Sequence, residues 1–218
     1  MKKISFFVAV IIAIAPFSAI RKLLYKIIFG YSFGANVQLG YLNVIHVPKF
    51  VVGSNSKFAS FNLFKGPFTV SIGDGVRIGR GNIFTAAWSI LNDKFKNKNY
   101  KRELQLCDDV LVLDSHFFDV YGKIYIGKGT WIAGRGTQMW THGVSVMDRD
   151  ITIGSYNYIG SAVRVSPGTT LGDSNIVALG SVLVRGESIS RHLISGCPAK
   201  PIKILDDDSK YKFSFMDW

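Results

Sequence analysis

"IGSYNYIGSAVRVSPGTTLGDSNIVALGSVL", from Ile153 to Leu183, carries an aliphatic residue at every sixth position: Ile153, Ile159, Val165, Leu171, Val177 and Leu183. Glycine follows three of them, at Gly154, Gly160 and Gly172. A period of six matches neither the 3.6-residue helix nor the two-residue alternation of one long strand. Hexapeptide repeats signal a parallel β-helix, whose aliphatic side chains stack inward. The positions two places before them hold Asn157, Val163, Thr169, Asn175 and Ser181, small to medium residues that suit a tight corner. Three short strands then make one triangular coil, and eighteen residues advance the solenoid by one level. A single coil is too small to bury a core, so stacking supplies it. No periodic helix separates these runs, which excludes an ordinary βαβ arrangement.

The same register shows at Ile72, Ile78 and Phe84, at Ile126 and Ile132, and more weakly at Phe33 and Leu39. Two interruptions stand out. Residues 85–108 hold a basic, asparagine-rich insertion with Phe95 and Tyr100; Phe84 and Ile126 lie 42 residues apart, so counting in sixes has the register resume in phase. Ile132 and Ile153 lie 21 apart, which predicts three extra residues bulging out near "QMWTHG", Gln138 to Gly143. Solenoids collect such insertions on one face, often the binding face.

The chain of 218 residues divides into a hydrophobic, helical segment at 1–30, the solenoid at 31–205 and a tail at 206–218. Ile4 to Ile20 is a run of seventeen uncharged residues interrupted by Pro16, at the lower limit for a membrane span. Ile20 to Phe29 sets Arg21, Lys22 and Lys26 beside Leu23, Leu24, Ile27 and Ile28, the pattern of a basic amphipathic helix. Together they predict two helices lying on or dipping into a membrane surface. The formal net charge is +11, yet no recognition helix, paired RNP-type aromatics or Cys/His finger accompanies it, so nucleic acid is not the expected partner. Anionic lipid or a phosphate-bearing small molecule fits the scatter of Lys and Arg better. Cys107 and Cys197 lie far apart and read as free thiols.

The hexad register, Thr141-His142-Gly143 and the closing "GCPAKPIK", Gly196 to Lys203, together resemble the hexapeptide-repeat acyltransferases, and within them the bacterial sugar O-acetyltransferases of exopolysaccharide, capsule and lipopolysaccharide assembly. The resemblance implies an all-β, left-handed parallel β-helix, although the usual handedness rule for parallel crossovers would give the opposite hand. It also implies a homotrimer, acetyl-CoA in the groove between neighbouring helices, and a catalytic histidine where His142 stands. Cys197 departs from the asparagine usual at its position. The alternatives are an acetyltransferase for a small amine or hydroxyl acceptor (serine, an antibiotic, an amino sugar) and a β-helical scaffold without chemistry.

On that reading His142 takes the proton of a sugar hydroxyl as its oxygen attacks the thioester. His116, flanked by Asp114 and Asp119, forms a second constellation in which a carboxylate could orient an imidazole. Expected coenzyme contacts are Ser161, Ala178, Gly180 and Ser181 of the late coils. Trp140 and Tyr158 would line the pocket, and Arg185, Lys200 and Lys203 would meet the coenzyme phosphates. The four histidines, His46, His116, His142 and His192, form no close pair, so no metal is expected. The acceptor is expected to be a carbohydrate or lipid-linked glycan, met at the inner face of the cytoplasmic membrane because acetyl-CoA is an intracellular metabolite.

Overall fold

The hexads close into coils. The computed structural model describes residues 2–98, 100–143, 146, 149–185 and 188–206, with two helices followed by short strands in three sheets of seven, nine and seven. From Ser32–Phe33 to Arg164–Val165, each strand pairs in parallel with the strand three places later in the chain. That pairing defines a three-sided solenoid, a parallel β-helix. The first face holds Ser32–Phe33 and Lys123–Ile126, the second Gln38–Leu39 and Trp131–Arg135, the third Val44–His46 and Gln138–Trp140. Aliphatic and aromatic hexad residues fill one continuous core.

The eighteen-residue coil holds in the late part: Ile153 pairs with Leu171, Ile159 with Val177 and Val165 with Leu183. Earlier coils are longer, since Val52 pairs with Ile72 and Phe64 with Phe84, each twenty residues on. Counting in sixes therefore misjudges both interruptions. Phe84 and Ile126 sit on different faces; the partner of Phe84 is Phe118, and the strand after the insertion begins at Glu103. Between Ile132 and Ile153 the extra chain also falls in two places. One residue goes into a register shift around Trp131–Arg135, and the rest into the loop between Gln138–Trp140 and Ile151–Ile153. A count modulo six cannot see a whole hexad's length looped out, and so the bulge of three was an undercount.

Both ends of the solenoid need their open strand edges satisfied. At the N-terminal end α1 (Lys2–Ala13) and α2 (Ser18–Phe29) lie against the first coil. The Tyr25 hydroxyl donates to the Asn43 carbonyl at 2.9 Å and accepts the Ile45 N–H at 3.1 Å. Arg21 donates to the Leu39 carbonyl at 2.6 Å, and the Ser18 hydroxyl accepts the Leu39 N–H at 2.8 Å. Arg21 and Tyr25, four residues apart, thus share the inner face of α2 and are buried there. Gly30 ends α2 in the left-handed conformation (φ 71°), where a side chain would strain the backbone. At the other end His192–Gly196 adds to the second face and folds back antiparallel on Ala199–Ile204, so "GCPAKPIK" is the closing hairpin, with a cis peptide bond at Cys197–Pro198.

Inside the corner between the second and third faces, polar side chains climb from coil to coil. Asn43 Oδ1 accepts from Asn62 Nδ2 at 2.8 Å, Asn62 Oδ1 accepts from the Asn82 N–H at 2.9 Å, and Asn82 Oδ1 accepts from the His116 N–H at 2.9 Å. Each rung satisfies backbone groups that the tight corner would otherwise bury unpaired.

Candidate active site

His142 leaves the solenoid at the corner between the third and first faces. On that corner His46, Lys65, Thr85, Asp119 and Trp140 stand in register, one per coil. The insertion departs after Thr85 and the His142 loop after Trp140, so both long excursions leave one edge of the prism. They also meet. Tyr100 of the insertion packs edge-on to Tyr121 at 5.7 Å, Lys101 pairs with Asp150, and the Arg149 guanidinium lies 4.5 Å above the Tyr100 ring.

Thr141 pins the loop to the coil below. Its hydroxyl donates to the Asp119 carbonyl and accepts the N–H groups of Tyr121 (2.9 Å) and Gly122 (2.8 Å). This fixes the backbone just before His142, whose Nδ1 lies 2.6 Å from Asp119 Oδ2. Asp119 is 2% exposed, and its carboxylate also accepts the Thr141 N–H at 3.1 Å. Burial pushes the Asp119 carboxyl above its ordinary value, while the hydrogen bond and charge of His142 and the Thr141 N–H pull it down. The His142 side chain is 41% exposed. With Nδ1–H donating to the carboxylate, the other ring nitrogen, Nε2, carries the free lone pair. A buried carboxylate that holds an accessible imidazole in one tautomer is a general-base device.

Aromatic rings wall this dyad. Tyr121 lies against His142 at 4.3 Å between centroids, and Trp140 faces it at 6.4 Å while packing at a tilt on Phe117 at 4.8 Å. The Tyr121 hydroxyl accepts the Ala87 N–H at 3.2 Å, which ties the root of the insertion to the same wall. Arg149 is buried, and among the described residues its Nε and Nη1 have no hydrogen-bond partner. The Tyr100 ring offsets part of the cost of burying that charge. Tyr121 and Arg149 escaped the sequence reading, and Tyr100 was noted only as part of the insertion, because all three sit in irregular segments, where spacing carries no information. Residues 144–145 and 147–148 of the loop lie outside the described residues, as do 99 in the basic run and 207–218 in the tail.

His116 is placed differently. It is 1% exposed, inside the second corner, where it continues the asparagine ladder: its Nδ1 accepts the Thr137 N–H at 3.0 Å. The structure does not turn it toward His142. Its position, two before the inward Phe118, is the corner position of the hexads, and that spacing was the available signal. Asp114 faces outward and accepts the Arg80 N–H at 2.7 Å across a coil turn. His46 is buried beneath α1, with Nε2 2.8 Å from the Ser5 hydroxyl. No group of three or more potential metal ligands occurs among the described residues.

Burial pushes the His116 pKa down from 6.5 to about 4, against the opposing Asp114 charge and the Ile132 carbonyl. The unfolded chain therefore binds more protons than the folded one between these values. The stability contributed is complete above about pH 6.5 and is lost as pH falls toward 4, by up to about 3 kcal/mol. Urea unfolding at pH 7 and pH 4.5 should show this loss, and His116→Asn, which keeps a ladder side chain, should reduce it. Equal acid sensitivity in both proteins would remove His116 as the cause.

No family model matches the chain. Galactoside O-acetyltransferase of Escherichia coli (strain K12) is 33% identical over 69 residues, 31% of this chain; the match spans 32% of that relative's length. What the chain itself shows is the hexad spacing from Ile153 to Leu183 closed into coils. Solved structures of similar fold include the polysialic acid O-acetyltransferase OatWY (18% identity, 86% of this chain, 95% of that one, TM-score 0.43). Another is a variant of AntD, an N-acyltransferase from Bacillus cereus, in complex with dTDP and coenzyme A (14%, 85%, 89%, TM-score 0.47). Likenesses at these levels decide neither substrate nor mechanism.

In this hexapeptide-repeat solenoid the residues expected to hold a coenzyme stand apart from His142. Ser161, Ala178 and Gly180 fall at the second corner: the Gly180 N–H donates to the Ser161 carbonyl at 2.9 Å and the Ala178 N–H to the Ile194 carbonyl at 2.8 Å. Ser181 is a buried ladder residue whose hydroxyl lies inside the coil. Tyr158 is half-buried on the second face beside Trp131. Arg185 borders a cleft of about 360 Å³ at the C-terminal end with Thr169, Leu183, Ile194 and Pro201, whereas Lys200 and Lys203 are exposed on the closing hairpin. Of the expected site residues, one chain brings together only His142, Asp119 and Trp140.

Proposed function

We propose that the chain is an O-acetyltransferase that moves the acetyl group of acetyl-CoA to a sugar hydroxyl of a cell-envelope or exopolysaccharide glycan. The observation that carries this reading is the 2.6 Å contact between the buried Asp119 carboxylate and His142. The partial likeness to a galactoside O-acetyltransferase supports the same chemistry. His142 Nε2 takes the acceptor's hydroxyl proton as its oxygen attacks the thioester carbonyl. The C–O bond forms, the C–S bond breaks, and the coenzyme thiolate recovers the proton from the imidazolium. Trp140 and Tyr121 offer ring faces beside the imidazole, surfaces suited to a sugar.

The separation of His142 from Ser161, Ala178 and Gly180 supports a site between subunits. In a homotrimer, the second corner of one copy, carrying the coenzyme, would face the His142 corner of the next. Acetyl-CoA is made inside the cell, and the proposed place of work is accordingly the inner face of the cytoplasmic membrane.

The test is transfer of labelled acetyl from acetyl-CoA by the purified chain to a panel of envelope sugars and lipid-linked oligosaccharides, with serine and amino sugars alongside. Ester-linked acetyl on a sugar is the expected product. Transfer only to an amine would replace the acceptor class. Absence of both coenzyme binding and transfer would leave the scaffold alternative.

A further inference from the structure

α1 and α2 do more than close the solenoid. Their inner faces are used: Ala9 and Ile12 of α1, and Arg21 and Tyr25 of α2, are buried against the first coil. Their outer faces carry a second apolar stripe. Ile4, Phe7 and Ile11 project from α1 at helical spacing, and Ile20, Leu23 and Ile27 repeat that spacing on α2. Phe7 is 66% exposed and Ile27 71%. Since the helices bond to the open edge of the first coil, this stripe covers the end of the prism and faces away from it.

Charge identifies the occupant. Residues 1–73 contain eight Lys or Arg and not one Asp or Glu; the first acidic residue of the chain is Asp74. Lys26 is exposed on α2, one position before Ile27. An apolar stripe on a segment whose only charges are basic opposes a second copy of itself, which would bring like charges together, and matches a surface of acyl chains under anionic headgroups. Length fixes the manner of contact. Each helix has 12 residues, about 18 Å, well short of the roughly 30 Å hydrocarbon core. Among the described residues no helix is long and apolar enough to cross a membrane.

We infer that the helical cap is a membrane-docking plate: α1 and α2 lie in the interface of an anionic bilayer, outer stripe down, and the solenoid stands on them. This docking does not depend on the acyl-transfer reading. One consequence does rest on it. Asp119 stands three coil steps above His46, against which α1 packs, so the dyad rides about 14 Å along the axis above that contact. An acceptor sugar must then project well clear of the headgroups, as a lipid-linked oligosaccharide does and a bare headgroup sugar does not.

The experiment uses the full chain without any acyl substrate, so loss of catalysis and loss of docking are read separately. Co-sedimentation is measured with vesicles of phosphatidylcholine alone and of phosphatidylcholine with phosphatidylglycerol. The wild type should bind the anionic vesicles more tightly, and added salt should weaken that preference. Phe7→Ser combined with Ile11→Ser should lower binding by about tenfold or more while the melting temperature and circular dichroism stay unchanged. Lys26→Glu should reduce the anionic preference alone. Binding by the double variant equal to wild type would overturn the proposal. So would a double variant that fails to bind because it has fallen to a smaller oligomer by light scattering, which would make the stripe a contact between copies.

Discussion

His142→Ala should lower the turnover number for acetyl transfer by roughly 10²–10⁴-fold, with a much smaller change in affinity for acetyl-CoA. The split follows from geometry. His142 is held by Asp119 at one corner of the prism, whereas the residues expected to contact the coenzyme lie at another. Asp119→Asn tests the arrangement more sharply. An asparagine keeps the volume, but its NH₂ can donate to Nδ1, which stabilises the tautomer with the proton on Nε2 and removes the free lone pair. It should therefore cost a large part of what His142→Ala costs, and the two changes combined should cost little more than His142→Ala alone. Tyr121→Leu, which takes away the ring beside the imidazole, should raise the KM for the sugar more than it lowers turnover. The measurement is steady-state kinetics with labelled acetyl-CoA on a folded variant. Turnover within a factor of about three of wild type after loss of His142 would exclude it as the base, because general-base contributions are far larger than that.

Legibility in the sequence tracked regularity. The core from Ile153 to Leu183 could be read from spacing because parallel coils repeat one geometry, and each inward residue meets its counterpart in the next coil. The same logic reached the ladder positions Asn157 and Asn175, whose side chains bond rung to rung at 3.0 Å. Had it been extended one step past the insertion, it would have put His116 in the corresponding ladder at the other corner, where Asn82 and Thr137 are its neighbours. The loops were opaque for the complementary reason. Their lengths are set by what they cross and not by a period, so a count in sixes conceals whole hexads. The meeting of Tyr100, Tyr121 and Arg149 depends on two excursions leaving the same corner from different coils, information held only in three dimensions. His142 was reached through a motif resemblance, and its partnership with Asp119 came from the fold. Asp119 and Trp140 are paired on adjacent rungs, and His142 comes two residues after the strand ends at Trp140.

Phe84→Ala should destabilise the protein by about 3–5 kcal/mol, the largest loss expected from a single core substitution here. Phe64, Phe84 and Phe118 are fully buried and stack ring on ring, with centroids 4.4 and 4.5 Å apart and planes within 14°. Truncating the middle ring removes two stacking contacts and leaves a void lined by the faces of two rigid rings. Such rings cannot collapse into the space as flexible side chains would. Position within the solenoid adds to the effect. Each coil is held mainly by its neighbours, and Phe84 and Phe118 join the coils on either side of the insertion. Phe118 also sits one residue before Asp119, so movement into the void displaces the carboxylate that orients His142. The variant should therefore lose activity at temperatures where it is still folded, through turnover more than through coenzyme affinity. Phe84→Leu, which refills most of the volume, should recover the greater part of both. Urea unfolding monitored by circular dichroism gives the first number, and kinetics below the variant's melting range gives the second. A loss of stability below about 1 kcal/mol would mean that the aromatic column is not the spine of these coils. A full stability loss with unchanged turnover would instead show that the Asp119 rung is held by Thr141 and its hydrogen bonds, independently of the rings beneath it.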